Sequence, residues 1–79
     1  MNPKTFHPTA HVLIRIAERG LSLQTLKDVV RYADRKQKQY AGEHGGGVFR
    51  FSKTTGGTKI TVVAEVKGRE CWLITAFYG

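Results

Sequence analysis

The sequence predicts an α+β fold in which two N-terminal helices pack on a three- to four-stranded antiparallel sheet, connected as a meander. Three observations lead there. Apolar residues recur at helical spacing through the first half of the chain, whereas in the second half apolar and β-branched residues alternate with period two. Short glycine-containing segments then separate the alternating stretches. With 79 residues the chain makes a single domain, 1–79, of a size that buries roughly 60% of its unfolded surface, so it holds one core.

Residues 1–7 read as irregular. Pro8 or Thr9 opens the first helix, because proline tolerates the first turn and threonine caps free amides, and Gly20 closes it. Within it His11, Arg15 and Arg19 recur every four residues, each step advancing only about 40° around the axis, so they form one polar ribbon. Val12, Leu13, Ile14, Ile16 and Ala17 take most of the remaining circumference, which predicts a largely buried helix with only that ribbon reaching solvent or a cleft. Leu23, Leu26, Val30 and Ala33 define the second helix, capped by Ser22, with Gln24, Lys27, Arg31 and Arg35 along its outer side.

Three strands follow, in Val48 to Lys53, Ile60 to Val66 and Cys71 to Tyr78, and Lys36 to Ala41 supplies a fourth through the G-E-H-G-G-G segment at 42–47. T-T-G-G at 54–57 and K-G-R at 67–69 supply turns. Ile60, Val62, Ala64 and Val66 share the face that should meet the helices. In the last strand Trp72, Ile74 and Ala76 oppose Leu73 and Phe77, both sets apolar, which places it near the middle of the sheet.

Lysine and arginine outnumber aspartate and glutamate by 13 to 6, and the net charge of +7 gives a field suited to a polyanion. Nucleic acid, specifically RNA, is the leading partner; an anionic surface or an acidic protein is the competitor. No apolar run approaches the roughly 18 residues of a membrane span, so no membrane partner is expected. Cys71 is the only cysteine and cannot form an internal disulfide, and no signal-peptide pattern begins at Met1, so a reducing cytoplasm is expected. A toxin domain cut from a longer secreted protein and delivered into a target cell would show the same features.

Cleaving RNA without a metal requires a proton acceptor for the 2′-hydroxyl, a donor for the leaving oxygen and cations on the phosphate. His11 suits either proton role. Arg15 and Arg19 suit the nonbridging oxygens, with Arg50 approaching from the sheet, and Lys27, Arg31, Arg35, Lys36 and Lys38 offer a landing strip for the RNA backbone. The competing reading makes His11 the end of a buried helix, Arg15 and Arg19 partners of Glu18 and Asp28, and the outer stripe a solvated face. Thr75 and Tyr78 suit hydrogen bonding to a phosphate or stacking on a base, but a regular strand places them on opposite faces. Phe49, Phe51, Trp72 and Tyr40 read as core before they read as stacking platforms. His44 sits in a segment without P-loop lysine spacing, which reads as a flexible hairpin loop able to close over substrate. His7 and His11 have a helical metal spacing, but Pro8 intervenes and no H-E-x-x-H glutamate is present, so no metal or other cofactor is expected. Cys71 reads as a half-buried thiol.

The segment His11 to Ser22, H-V-L-I-R-I-A-E-R-G-L-S, resembles the signature of a small bacterial domain-of-unknown-function family, H-A-x-x-R-x-x-x-R-G-I-S, whose sheet ends in a V-T-x-Y-like strand. Here that ending is I-T-A-F-Y. The family is similar to the superfamily grouping barnase, EndoU, colicin nuclease domains and RelE toxins. The resemblance covers residues 11–78 and implies two helices on a four-stranded antiparallel sheet and metal-independent RNA cleavage. Carried onto this chain it points to His11, Arg15, Arg19 and Thr75, with Tyr78 as an aromatic partner. Val12 stands where the family has a small alanine, which alters how closely the helix approaches the sheet.

The expected function is therefore that of a metal-independent endoribonuclease, a toxin-like domain using 2′-hydroxyl attack. One alternative is a non-catalytic RNA-binding or ribosome-associated module. The other is a basic interaction domain that docks an acidic antitoxin or immunity protein.

Overall fold

A computed structural model describes residues 3–79. The chain runs β1 (Thr5–Pro8), α1 (Ala10–Arg19), α2 (Leu23–Arg31), β2 (Arg35–Ala41), β3 (Gly47–Thr55), β4 (Thr58–Lys67) and β5 (Glu70–Tyr78). Strand order in the sheet is β1-β5-β4-β3-β2. The pairs from β2 to β5 are antiparallel, but β1 pairs parallel with β5, Thr5 opposite Glu70 and Pro8 opposite Leu73. The sheet is thus five-stranded and mixed, which corrects the expected three- to four-stranded antiparallel meander.

The missing strand lies in the stretch expected to be irregular. Positions 1 and 2 of that stretch fall outside the described residues. At Thr5–Pro8 the four residues T-F-H-P carry no alternation long enough to signal a strand; their order comes from partners more than 60 positions away. The amides of Lys4 and Thr5 both donate to the Arg69 carbonyl, and that of Thr9 to the Leu73 carbonyl. A short parallel edge strand is assembled by its neighbour and not by its own propensity.

Both helices cover one face of the sheet. Thr9 caps α1 by accepting from the Val12 amide, and Gly20 ends it at φ 64°, a left-handed value that glycine adopts without Cβ strain. Ser22 caps α2 by accepting from the Thr25 amide. Leu26, Val29 and Val30 of α2 meet Phe51, Val62, Ala64, Val66, Cys71, Leu73 and Ala76 from the sheet. Full burial of each large aliphatic side chain contributes about 1.5–3 kcal/mol, which fixes α2 against β3 and β4. The expected inward face of β4 is as predicted.

Helix α1 departs from expectation. Only Val12 is fully buried, while Leu13 and Ile14 are 46% and 54% exposed. The helix lies along β5 and covers it with one turn's width of side chains, so its apolar circumference exceeds what the narrow contact can hide.

Two bulges set which side chains reach the face away from the helices. One lies in β2 between Lys38 and Tyr40, and the other in β5, where Val63 pairs with Thr75 and Ala64 with Leu73, leaving Ile74 unpaired. The second shifts Ala76 into the core beside Leu73, which corrects the expected Trp72, Ile74, Ala76 face.

Candidate functional site

The uncovered face of the sheet is ordered in cross-strand rows. One row runs Tyr40, Val48, Glu65, Trp72 and His7 across all five strands. The next toward the β3–β4 turn runs Gln37, Arg50, Val63 and Thr75, and the next Arg35, Ser52, Thr61 and Phe77. A cleft of about 550 Å³ opens over the first row, and His11 from α1 and His44 from the β2–β3 loop stand at its wall.

Glu65 organises this cleft from below. It is 1% exposed, the most deeply buried charged side chain among the described residues. One carboxylate oxygen, Oε2, accepts from the amides of His44 at 2.9 Å and Gly46 at 2.8 Å; the other, Oε1, lies 3.0 Å from His44 Nδ1. Burial alone pushes the carboxyl up, but the Gly46 amide, the His44 ring and the His44 amide together hold it below its ordinary value. An ionised carboxylate only accepts, so Nδ1 of His44 carries the proton of that bond and Nε2 is left to gain or lose one.

The loop's glycines serve this arrangement. A Cβ on Gly42 would collide with the Glu65 carboxyl group, and one on Gly46 would lie 2.5 Å from the Val66 carbonyl oxygen. Absence of a side chain lets the loop backbone close onto the buried carboxylate. The G-E-H-G-G-G segment does connect two hairpin strands as predicted, and Glu65 ties it to the sheet.

The His44 ring stacks on Trp72 with centroids 4.1 Å apart and planes 6° from parallel. His7 stacks on the same indole at 5.2 Å and 22°, and its Nε2 lies 2.8 Å from Glu70 Oε1. Tyr40 is brought to this face by the β2 bulge and is 60% exposed. The cleft therefore combines two imidazoles, a buried carboxylate and two aromatic rings.

The structure disperses the other predicted site residues. His11 is exposed in the cleft, while Arg15 Nη1 is 2.6 Å from Glu18 Oε1. Arg19 donates to the Ala76 carbonyl at 2.9 Å, and the Tyr78 hydroxyl donates to the Arg19 carbonyl at 3.0 Å, on the helix-bearing side. Thr75 stands on the open face one row from Glu65, so it and Tyr78 do occupy opposite faces. Asp28 accepts from Gln24 and not from Arg19.

The basic residues divide between surfaces. Lys27 and Arg31 lie over the Phe6 ring at 5.6 and 5.1 Å, and Lys36 over the Phe49 ring at 4.8 Å, all on the helix side. Lys38 pairs with Phe49 on that side also, whereas Arg35 and Arg50 belong to the open face. Sequence reasoning passed over His44, Glu65, Trp72 and Tyr40 as a group. The one available signal was a glutamate at an otherwise apolar strand position.

A family profile matches residues 9–78, from the N-cap of α1 to the last residue of β5. Its description is Domain of unknown function (DUF4258). The chain belongs to this family. The family span holds His11, His44, Glu65 and Trp72 and leaves β1, with His7, outside it. No curated protein gives a significant match, and no solved structure does. Among the described residues no helix is long and apolar enough to cross a membrane.

Proposed function

We propose that this domain cleaves RNA without a metal, by attack of a ribose 2′-hydroxyl on the adjacent phosphodiester. The observation that carries the reading is the His44–Glu65 pair opening onto the same cleft as His11 in a domain of net charge +7. One imidazole accepts the 2′-hydroxyl proton as the 2′-oxygen to phosphorus bond forms. The other, protonated, delivers a proton to the 5′-oxygen as its bond to phosphorus breaks, leaving a 2′,3′-cyclic phosphate and a free 5′-hydroxyl.

His44 is the better base of the two. The buried carboxylate fixes its tautomer and the orientation of its ring, as an orienting carboxylate does in other acid–base sites. His11 then serves as the acid. Tyr40 and Trp72 offer ring faces to flanking bases, and Thr75, one row away, offers a hydroxyl to the phosphate. Arg15, four residues from His11, already spends charge on Glu18.

The test uses a tRNA or mRNA pool in EDTA with wild type, His11→Ala, His44→Ala and Glu65→Gln. Cleavage by wild type that drops about 100-fold or more in each histidine variant is expected for a lost acid or base. Products should end in cyclic phosphate. RNA left equally intact by wild type and His11→Ala ends the catalytic reading, and salt-sensitive binding without turnover would leave an RNA-binding module in its place.

A further inference from the structure

The open face carries a second concave feature, away from the cleft and toward the β3–β4 turn. It is a hollow of about 390 Å³ lined by Arg35, Lys36, Gln37, Arg50, Ser52 and Lys59, with the Lys36 ammonium turned away over the Phe49 ring on the helix side. Register explains the convergence. Arg35 pairs with Ser52, Gln37 with Arg50, and Lys59 with Thr54, so three strands deliver their cations to one side of the sheet. No aspartate or glutamate lines the hollow, and among the described residues no salt bridge engages Arg35, Arg50 or Lys59. The nearest acid in sequence, Asp34, is occupied by the Thr54 amide.

The floor of the hollow adds little negative character. Thr61 donates its hydroxyl proton to the Gly79 carbonyl, which leaves Ser52 as the donor in their mutual contact of 3.4 Å. Arg50 is held with its guanidinium 5.9 Å from the Phe77 ring centre, so its position is restrained by an aromatic face. Three cations lining one concavity without a counter-charge give it a positive potential that favours an entering anion.

Its position says which anion. The row bearing Arg35 and Thr61 lies four residues along β4 from Glu65, about 13 Å at the usual strand rise, on the same face. Between the two runs the row of Arg50, Val63 and Thr75, and the partly exposed rings of Trp72 and Phe77 belong to the two flanking rows. An extended single strand has this alternation of charged phosphate and flat base, with the spacing covered by a few nucleotides.

We propose that Arg35, Arg50 and Lys59 form a distal phosphate subsite for single-stranded RNA, so that the domain binds oligonucleotides more tightly than isolated dinucleotides. This rests on RNA being the ligand of the cleft, but not on its being cleaved. The subsite and the cleft form one track across the sheet.

Binding separates the two claims. Fluorescence anisotropy is followed with 2′-O-methyl RNA, which cannot undergo 2′-hydroxyl attack, as an octamer and as a dimer over a range of salt. The triple variant Arg35→Gln, Arg50→Gln, Lys59→Gln should lose octamer affinity with its log–log salt slope shallower by about 2, near 0.7 per removed cation, while dimer affinity stays unchanged. Lys4→Gln, Lys67→Gln, Arg69→Gln, with the same charge change at the other end of the sheet, should shift the octamer slope far less. Lys59→Gln alone, at an exposed position, should move it by about 0.7.

Equal effects of the two triple variants would mean general charge and no subsite. Unchanged octamer binding in the first triple variant, or equal losses for dimer and octamer, overturns the proposal as well, as does wild type that binds anionic vesicles but no octamer. Circular dichroism confirms that each variant is folded. Loss of cleavage with the octamer–dimer difference intact would sink the catalytic reading alone, and cleavage that ignores substrate length would sink the subsite alone.

Discussion

Tyr78 donates its hydroxyl to the main-chain carbonyl of Arg19 at 3.0 Å, while the guanidinium of Arg19 reaches past it to the carbonyl of Ala76 at 2.9 Å. The last turn of α1 and the last residues of β5 are thereby fastened in both directions. β1 covers the β5 edge only as far as Leu73, and the Arg19 side chain satisfies a carbonyl of the edge beyond it. Tyr78→Phe and Arg19→Ala should each lower stability by about 1 kcal/mol, seen as a drop of about 4–8 °C in Tm. The double variant should depart from additivity, since both bonds hold the same end of one helix. An unchanged Tm in both single variants would show the clasp to be without energetic weight.

Glu65 predicts a pH signature. Its folded-state carboxyl titrates below its ordinary value of 4.5, so its stabilising contribution is complete above that value and is lost as pH falls through the folded value. Urea unfolding as a function of pH should therefore show a loss of stability on acidification below about 4.5 that Glu65→Gln lacks. At neutral pH the same substitution should cost about 1.5–3 kcal/mol, because the amide presents a donor where the loop also presents donors. A wild-type stability flat across the acid range would contradict the assigned ionisation.

Gly46→Ala should destabilise through packing, whereas at Gly56 and Gly57 of the β3–β4 turn a side chain meets open space and is opposed by the positive φ. The new Cβ at Gly46 would meet the Val66 carbonyl, a main-chain atom that cannot rotate aside, and about 1–3 kcal/mol is expected from such overpacking. Displacing the loop also unstacks His44 from Trp72, the only tryptophan. Its emission should change in Gly46→Ala and His44→Ala alike, and more than in His7→Ala, whose ring is farther from the indole. Identical spectra for all four proteins would exclude the stacked loop in solution.

Cys71 lies fully buried, and burial pushes its thiol up to about 12. At pH 8 iodoacetamide should leave it unmodified in the folded domain and alkylate it in urea, as read by mass. Rapid labelling under native conditions would place the thiol elsewhere.

The parts of the fold legible in the sequence are those written in local patterns. Thr9 and Ser22 announce helix starts because an extended residue with a hydroxyl is what free amides require, and Gly20 announces an end because its φ is positive. Val62, Ala64 and Val66 announce an inward face through strict alternation. Of the candidate site, His11 stood out on its helix, while His44, Trp72 and Tyr40 carried a functional reading only behind a loop or core one. His44 and Glu65 are 21 positions apart, and nothing local to a glycine-rich loop reveals that a buried carboxylate waits beneath it.

Periodicity also fails where the strand itself is irregular. Counting by twos along β5 puts Ala76 with Trp72, and the unpaired Ile74 reverses this, sending Ala76 inward and Thr75 outward. By itself, then, the sequence determined two capped helices, the stretches that become β2 to β5, the inward side of β4 and a cationic composition, because each follows from residues close together in the chain. Only the tertiary structure decided the parallel β1, the two bulges, the exposure of Leu13 and Ile14, and the meeting of His11, His44 and Glu65. Those depend on contacts between distant segments, where pairing and burial override what a local stretch prefers.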